Sequence, residues 1–126
     1  MESPIVLCVD DCLPVLLLRK ASLEVQGYRV KIATSGWSAL QMLAGMKVSG
    51  VLLEYKNEGI DAEAVALHIK QRFPDMPIIL LSAYSDMPER ILWLVDEYVT
   101  RGELPDQLMA IIQRATAPRP GDVAAA

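Results

Sequence analysis

Cysteine is scarce in this chain of 126 residues: Cys8 and Cys12 are the whole supply. Two thiols four positions apart make no disulfide framework, so they read as reduced thiols of a cytoplasmic protein. Histidine is scarcer still. His68 alone falls inside a helical stretch, away from any acidic cluster, and reads as a surface residue rather than a phosphotransfer group. Long hydrophobic runs are missing as well. The run from Ile5 to Val9 is too short for the core of a secretion signal, and no basic residues precede it. Nothing approaches the roughly 20 consecutive apolar residues of a membrane span. Positive charge is in deficit, with 12 Lys and Arg against 16 Asp and Glu, a net charge of -4 that argues against a nucleic-acid surface. No G-x-G-x-x-G and no P-loop follows a strand-like run, which disfavours nucleotide binding. There is no internal repeat, and no low-complexity segment beyond the C-terminal alanines.

What is present is a globular composition, 52% apolar and 22% charged, of a length suited to one domain. Ile5–Val9 reads as a buried strand ended by Asp10-Asp11. A helix follows from about Cys12, with Val15, Leu18, Ser22 and Val25 on one face and Leu16, Leu17 and Leu23 widening the apolar stripe. Pro14 suits its first turn, and Gly27 its end. Residues 28–33 alternate as a half-buried strand at a sheet edge does. Ser35 is placed to cap a helix over 36–45, with Leu40, Leu43 and Ala44 inward. Val51-Leu52-Leu53-Glu54 is an unbroken apolar run ending on an acid, as in a strand buried on both faces. A helix over 61–72 turns Val65 and Ile69 inward. Residues 78–82 form a fourth strand, and a short helix runs from near Pro88 to about Leu94. Residues 97–100 form a fifth strand, and Leu104, Leu108, Ile111, Ile112 and Ala115 recur at helical spacing. The expected fold is α/β: a flavodoxin-like, doubly wound, five-stranded parallel sheet in the order 2-1-3-4-5 with five helices. Residues 1–116 make the domain, and 117–126 read as a disordered tail.

That strand order brings Asp10, Asp11 and Glu54 together at the carboxyl edge of the sheet, where ligands of such sheets bind. Ser82 and Arg101 end the fourth and fifth strands. Three carboxylates in one crevice repel and call for a cation, either Mg²⁺ or Arg101. With Leu7-Cys8-Val9-Asp10-Asp11, Val51-Leu52-Leu53-Glu54-Tyr55, Pro77-Ile78-Ile79-Leu80-Leu81-Ser82-Ala83 and Tyr98-Val99-Thr100-Arg101 in this order and spacing, the chain resembles the receiver domains of two-component response regulators, CheY-like modules, over about residues 4–116. The resemblance implies that Asp10 and Asp11 bind Mg²⁺ together with the backbone carbonyl of Lys56. It also implies that Ser82 bonds the phosphoryl group and that Tyr98 is the switch aromatic. Two positions depart from the family. Glu54 stands where the phospho-accepting aspartate belongs, and Arg101 stands where a lysine belongs. Glutamate carries its carboxylate about 1.5 Å further out, and phosphoryl transfer does not tolerate misplacement on that scale. Arg101 has a planar fork suited to a fixed ion pair with Glu54.

The functional expectation is therefore a stand-alone pseudo-receiver. It is a signalling interaction module, not an enzyme, and is not phosphorylated at the usual position. Its partners are a histidine kinase or a downstream effector, not nucleic acid or membrane. Ile91, Trp93 and Leu94 mark an interface on the face made by the fourth helix, fifth strand and fifth helix, where a homodimer would form. Two alternatives stay open: a receiver that still accepts phosphate, and a Mg²⁺-dependent hydrolase or phosphotransferase on the same sheet. Against the latter, every connection is too short for a substrate-binding insertion.

Overall fold

The structure, a computed structural model, describes residues 4–55, 59–83, 87–100 and 106–116, with backbone alone at 106–109 and 116. Its elements follow in chain order as β1 (Ile5–Val9), α1 (Leu13–Val25), β2 (Arg29–Ala33), α2 (Gly36–Gly45), β3 (Gly50–Glu54), α3 (Ala62–Arg72), β4 (Ile78–Ser82), α4 (Glu89–Leu92), β5 (Glu97–Thr100) and α5 (Asp106–Thr116). The five strands form one parallel sheet in the order β2-β1-β3-β4-β5, as expected.

Local chemistry explains the boundaries. Ser35 accepts the amide of Ser38 at 3.1 Å and starts α2, and Asp61 accepts that of Ala64 at 3.1 Å and starts α3. After α1 the chain turns through Gly27 at φ 98°, a left-handed conformation open to glycine at no steric cost. β3 and β4 are buried along their whole length because helices cover both faces of the sheet. β2 alternates because it is an edge.

The core has two halves, one on each side of the sheet. On one side Leu16 and Leu23 of α1 and Ile112 of α5 pack on Val6, Cys8, Leu52, Ile79, Leu81 and Val99. On the other, Ala39 and Leu43 of α2, Ala62, Val65, Ala66 and Ile69 of α3 and Ile91 of α4 pack on Leu7, Val9, Val51, Leu53, Ile78 and Leu80. Strand alternation assigns each residue to its half.

Three expectations are corrected. The expected face of α1, Val15, Leu18, Ser22 and Val25, is not the one that packs: Leu16 and Leu23 face the sheet, whereas Leu17, Leu18, Ser22 and Val25 are exposed and Val15 is half-buried. In α2 it is Ala39 and Leu43 that are buried, Leu40 packs partly against them, and Ala44 is exposed. In α4 Ile91 belongs to the core and not to an interface, because a four-residue helix has room for a single inward anchor. Leu104 and residues 117–126 lie outside the described residues.

Candidate functional site

The parallel register carries the acids together. Val9 pairs with Leu53, so the next residues on each strand, Asp10 and Glu54, end adjacent strands at the carboxyl edge. Leu81 and Ser82 lie beside Glu54 on β4, and Thr100 pairs with Ser82 on β5. Glu54 is 1% exposed and Ser82 is fully buried. At that depth the Glu54 carboxyl is shielded from bulk water.

Asp10 is 2% exposed. Its Oδ1 accepts the amide of Cys12 at 3.0 Å, a local turn that sets the start of α1. Its Oδ2 lies 3.8 Å from Nη1 of Arg19, whose side chain is only 9% exposed. Burial pushes the Asp10 carboxyl above its ordinary value; the Cys12 amide and the Arg19 guanidinium pull the other way, and Asp11 adds to the rise. Asp11 is exposed and accepts the amide of Gly59 at 3.0 Å, which ties the loop after β3 to the end of β1.

Arg19 escaped the sequence reading. A signal for it existed: Arg19 lies three residues after Leu16 and four before Leu23, the two inward positions of α1, so it shares their face. Cys8 and Asp10, two apart at the end of β1, point to that same side of the sheet. The guanidinium is thus delivered to the acidic crevice from beneath, and its field also acts on the Cys8 thiol.

The remaining expected residues divide. Tyr98 pairs with Leu80 on β4, is half-buried, and packs against the core half that contains Ile91. Leu94 is half-buried against the same half, while Trp93 is 81% exposed. Trp37 is also exposed, as is His68. Lys56 and Arg101 lie outside the described residues. Among the described residues no group of three or more His, Cys, Asp and Glu side chains is placed to hold a metal ion. Asp10 is already engaged by Cys12 and Arg19, and Asp11 by Gly59. As placed, the described carboxylates do not make a divalent-ion site. No helix among the described residues is long and apolar enough to cross a membrane.

Comparison with known proteins agrees with this architecture. Residues 6–113 match the family model for the response regulator receiver domain. Response regulator MprA of Mycobacterium leprae is 29% identical over 111 residues, covering 86% of this chain and 49% of that protein. An NtrX-like response regulator of Rickettsia felis is 30% identical over 115 residues, covering 87% of this chain and 24% of that protein. The chain spans about half the length of the MprA relatives it matches, 53% of that from Mycobacterium sp. (strain KMS). Among solved structures, response regulator TrrA of Thermotoga maritima in complex with Mg²⁺–BeF aligns with a TM-score of 0.82 at 31% identity, covering 89% of this chain and 98% of that one. TrrA in complex with the histidine kinase ThkA aligns equally well, at 0.82 and 30% identity, covering 90% and 99%.

Proposed function

This chain belongs to the response regulator receiver family of two-component signalling, and from that premise we propose that it is an atypical receiver, which signals through protein contacts and takes no phosphoryl group at Glu54. The observation that carries this reading is the residue itself. Glutamate ends β3 and is 1% exposed, where the resemblance to the family puts an aspartate phospho-acceptor. Its extra methylene moves the nucleophilic oxygen by about 1.5 Å, and the close packing around the buried end of β3 resists accommodating that. In-line attack on a phosphodonor depends on positioning almost entirely, so the displaced carboxylate is a poor nucleophile here.

A permanent carboxylate carries one negative charge where a phosphorylated residue carries nearly two. The module therefore rests in one state rather than toggling between two. Its partners are proteins: a histidine kinase, by analogy with the TrrA–ThkA pair, or a downstream effector. The contact face is α4–β5–α5, where Trp93 is exposed, and a second copy of the chain is one occupant of that face.

Intact mass after incubation with acetyl phosphate and Mg²⁺ tests the central claim, with an aspartate-bearing receiver treated alongside to show that the donor is active. No phosphoryl adduct on this chain is the expected result. A labile adduct mapping to Glu54 or a neighbouring aspartate overturns it and restores an ordinary phospho-switch.

A further inference from the structure

We propose that Arg19 is the resident cation of the acidic crevice, taking the electrostatic place of a divalent metal, so that this receiver is indifferent to Mg²⁺. The inference deepens the reading of the crevice as a receiver's acidic pocket and rests on it.

Three observations converge on Arg19. First, it is the one basic side chain on the sheet-facing side of α1, between Leu16 and Leu23, and it is nine-tenths buried. Second, its Nη1 is buried, makes no hydrogen bond, and has Asp10 Oδ2 at 3.8 Å. A guanidinium keeps its charge at any ordinary pH, so a carboxylate must compensate this one, and Asp10 is in place to do so. Third, the acids are already committed. Asp10 Oδ1 holds the Cys12 amide, Asp11 Oδ2 holds the Gly59 amide, and no three-donor group forms among the described residues. A dication entering the crevice would share these acceptors and settle close to a fixed positive charge. Removing the guanidinium reverses both the repulsion and the need: the crevice is left with excess negative charge, which a dication relieves.

The test is direct Mg²⁺ binding to the whole chain, followed by backbone amide chemical shifts around Asp10, Asp11 and Glu54 and by thermal midpoint. The native chain and Arg19→Met are compared, because methionine keeps an apolar stem and drops the charge. The native chain is expected to show no saturable shifts and no rise in midpoint at Mg²⁺ concentrations that saturate a receiver crystallised with the ion. Arg19→Met is expected to bind at least about tenfold more tightly, and its midpoint is expected to climb with Mg²⁺ as linkage requires. Equal affinity in the two proteins, tight or absent, overturns the inference. If Arg19→Met does not fold even with Mg²⁺, Arg19→Gln replaces it in the same comparison, and saturable Mg²⁺ binding to the native chain overturns the inference in either case. A native chain that binds Mg²⁺ and still takes no phosphoryl group would sink the role of Arg19 while leaving the proposed function standing.

Discussion

Cys8 and Cys12 lie four positions apart and occupy opposite worlds. Cys8 is fully enclosed in β1 between the sheet and α1, whereas Cys12 is exposed at the mouth. Burial pushes the Cys8 thiol from 9.0 to about 12, with the Arg19 charge pulling weakly the other way. A thiol-specific reagent is expected to modify one cysteine in the native protein and both after denaturation; rapid native modification of both would refute the placement of Cys8. The pH consequence has a definite sign. Between 9.0 and about 12 the unfolded chain releases the Cys8 proton and the folded chain keeps it. The folded state then binds more protons, so stability falls as pH rises through that window and is flat in this group below it. In Cys8→Ala that alkaline slope is expected to shrink, measured as urea midpoints across the range, although the cavity lowers stability at every pH. At this scale the acids were legible in the sequence, because a run such as Val51–Glu54 ends on a charge that must reach the sheet's edge. Arg19 was not, because one cation among the leucines of α1 declares its face only when the register of the helix is known.

The register of α1 is itself an element-scale matter. Its apolar residues cover more of the circumference than the sheet can bury, and periodicity alone does not say which of them win. Leu16→Ala is expected to cost about 2–5 kcal/mol, as truncation of an enclosed side chain does. Leu18→Ala, on the exposed face, is expected to stay within about 0.5 kcal/mol of the native chain. Equal losses in denaturant titrations would mean the helix is rotated from the placement seen here. The contact between α2 and α3 gives a sharper check. A Cβ added at Gly36 would come within 2.7 Å of Val65 Cγ2, closer than packed atoms tolerate. Gly36→Ala is therefore expected to destabilise by about 1–3 kcal/mol despite alanine's better helix propensity. In a Val65→Ala background the obstruction is gone, and the same substitution is expected to become neutral or stabilising. Losses that simply add would show that the two helices do not meet there. The cap residue Ser35 was readable without any of this, since a capping side chain acts on the adjacent turn. Helix-to-helix contacts join distant segments and leave no local trace.

For the whole molecule the question is whether the carboxyl edge and the α4–β5–α5 face still communicate. The physical path is short. Glu54 and Ser82 end the central strands, Tyr98 pairs with Leu80 on the neighbouring strand, and Tyr98 packs in the core half that holds Ile91 and Leu94. Trp93, between them in sequence, is exposed. Strand order and element order were legible because alternating apolar runs and helical periods admit few right-handed arrangements. The state of the switch was not, because it depends on how side chains at four strand ends divide one crevice. A ligand moves a two-state equilibrium only through its different affinity for the two states. If Glu54 takes no phosphoryl group, a phosphodonor has nothing with which to move Trp93. With Trp37→Phe as background, Trp93 fluorescence is expected to be unchanged by acetyl phosphate and Mg²⁺. Glu54→Gln, which removes the fixed charge and keeps the shape, is expected to shift that emission and to loosen amide-exchange protection in β5. A donor-dependent change in the Glu54-bearing chain would mean the path is driven by phosphorylation after all. A silent Glu54→Gln would mean that the charge at the end of β3 does not reach the α4–β5–α5 face.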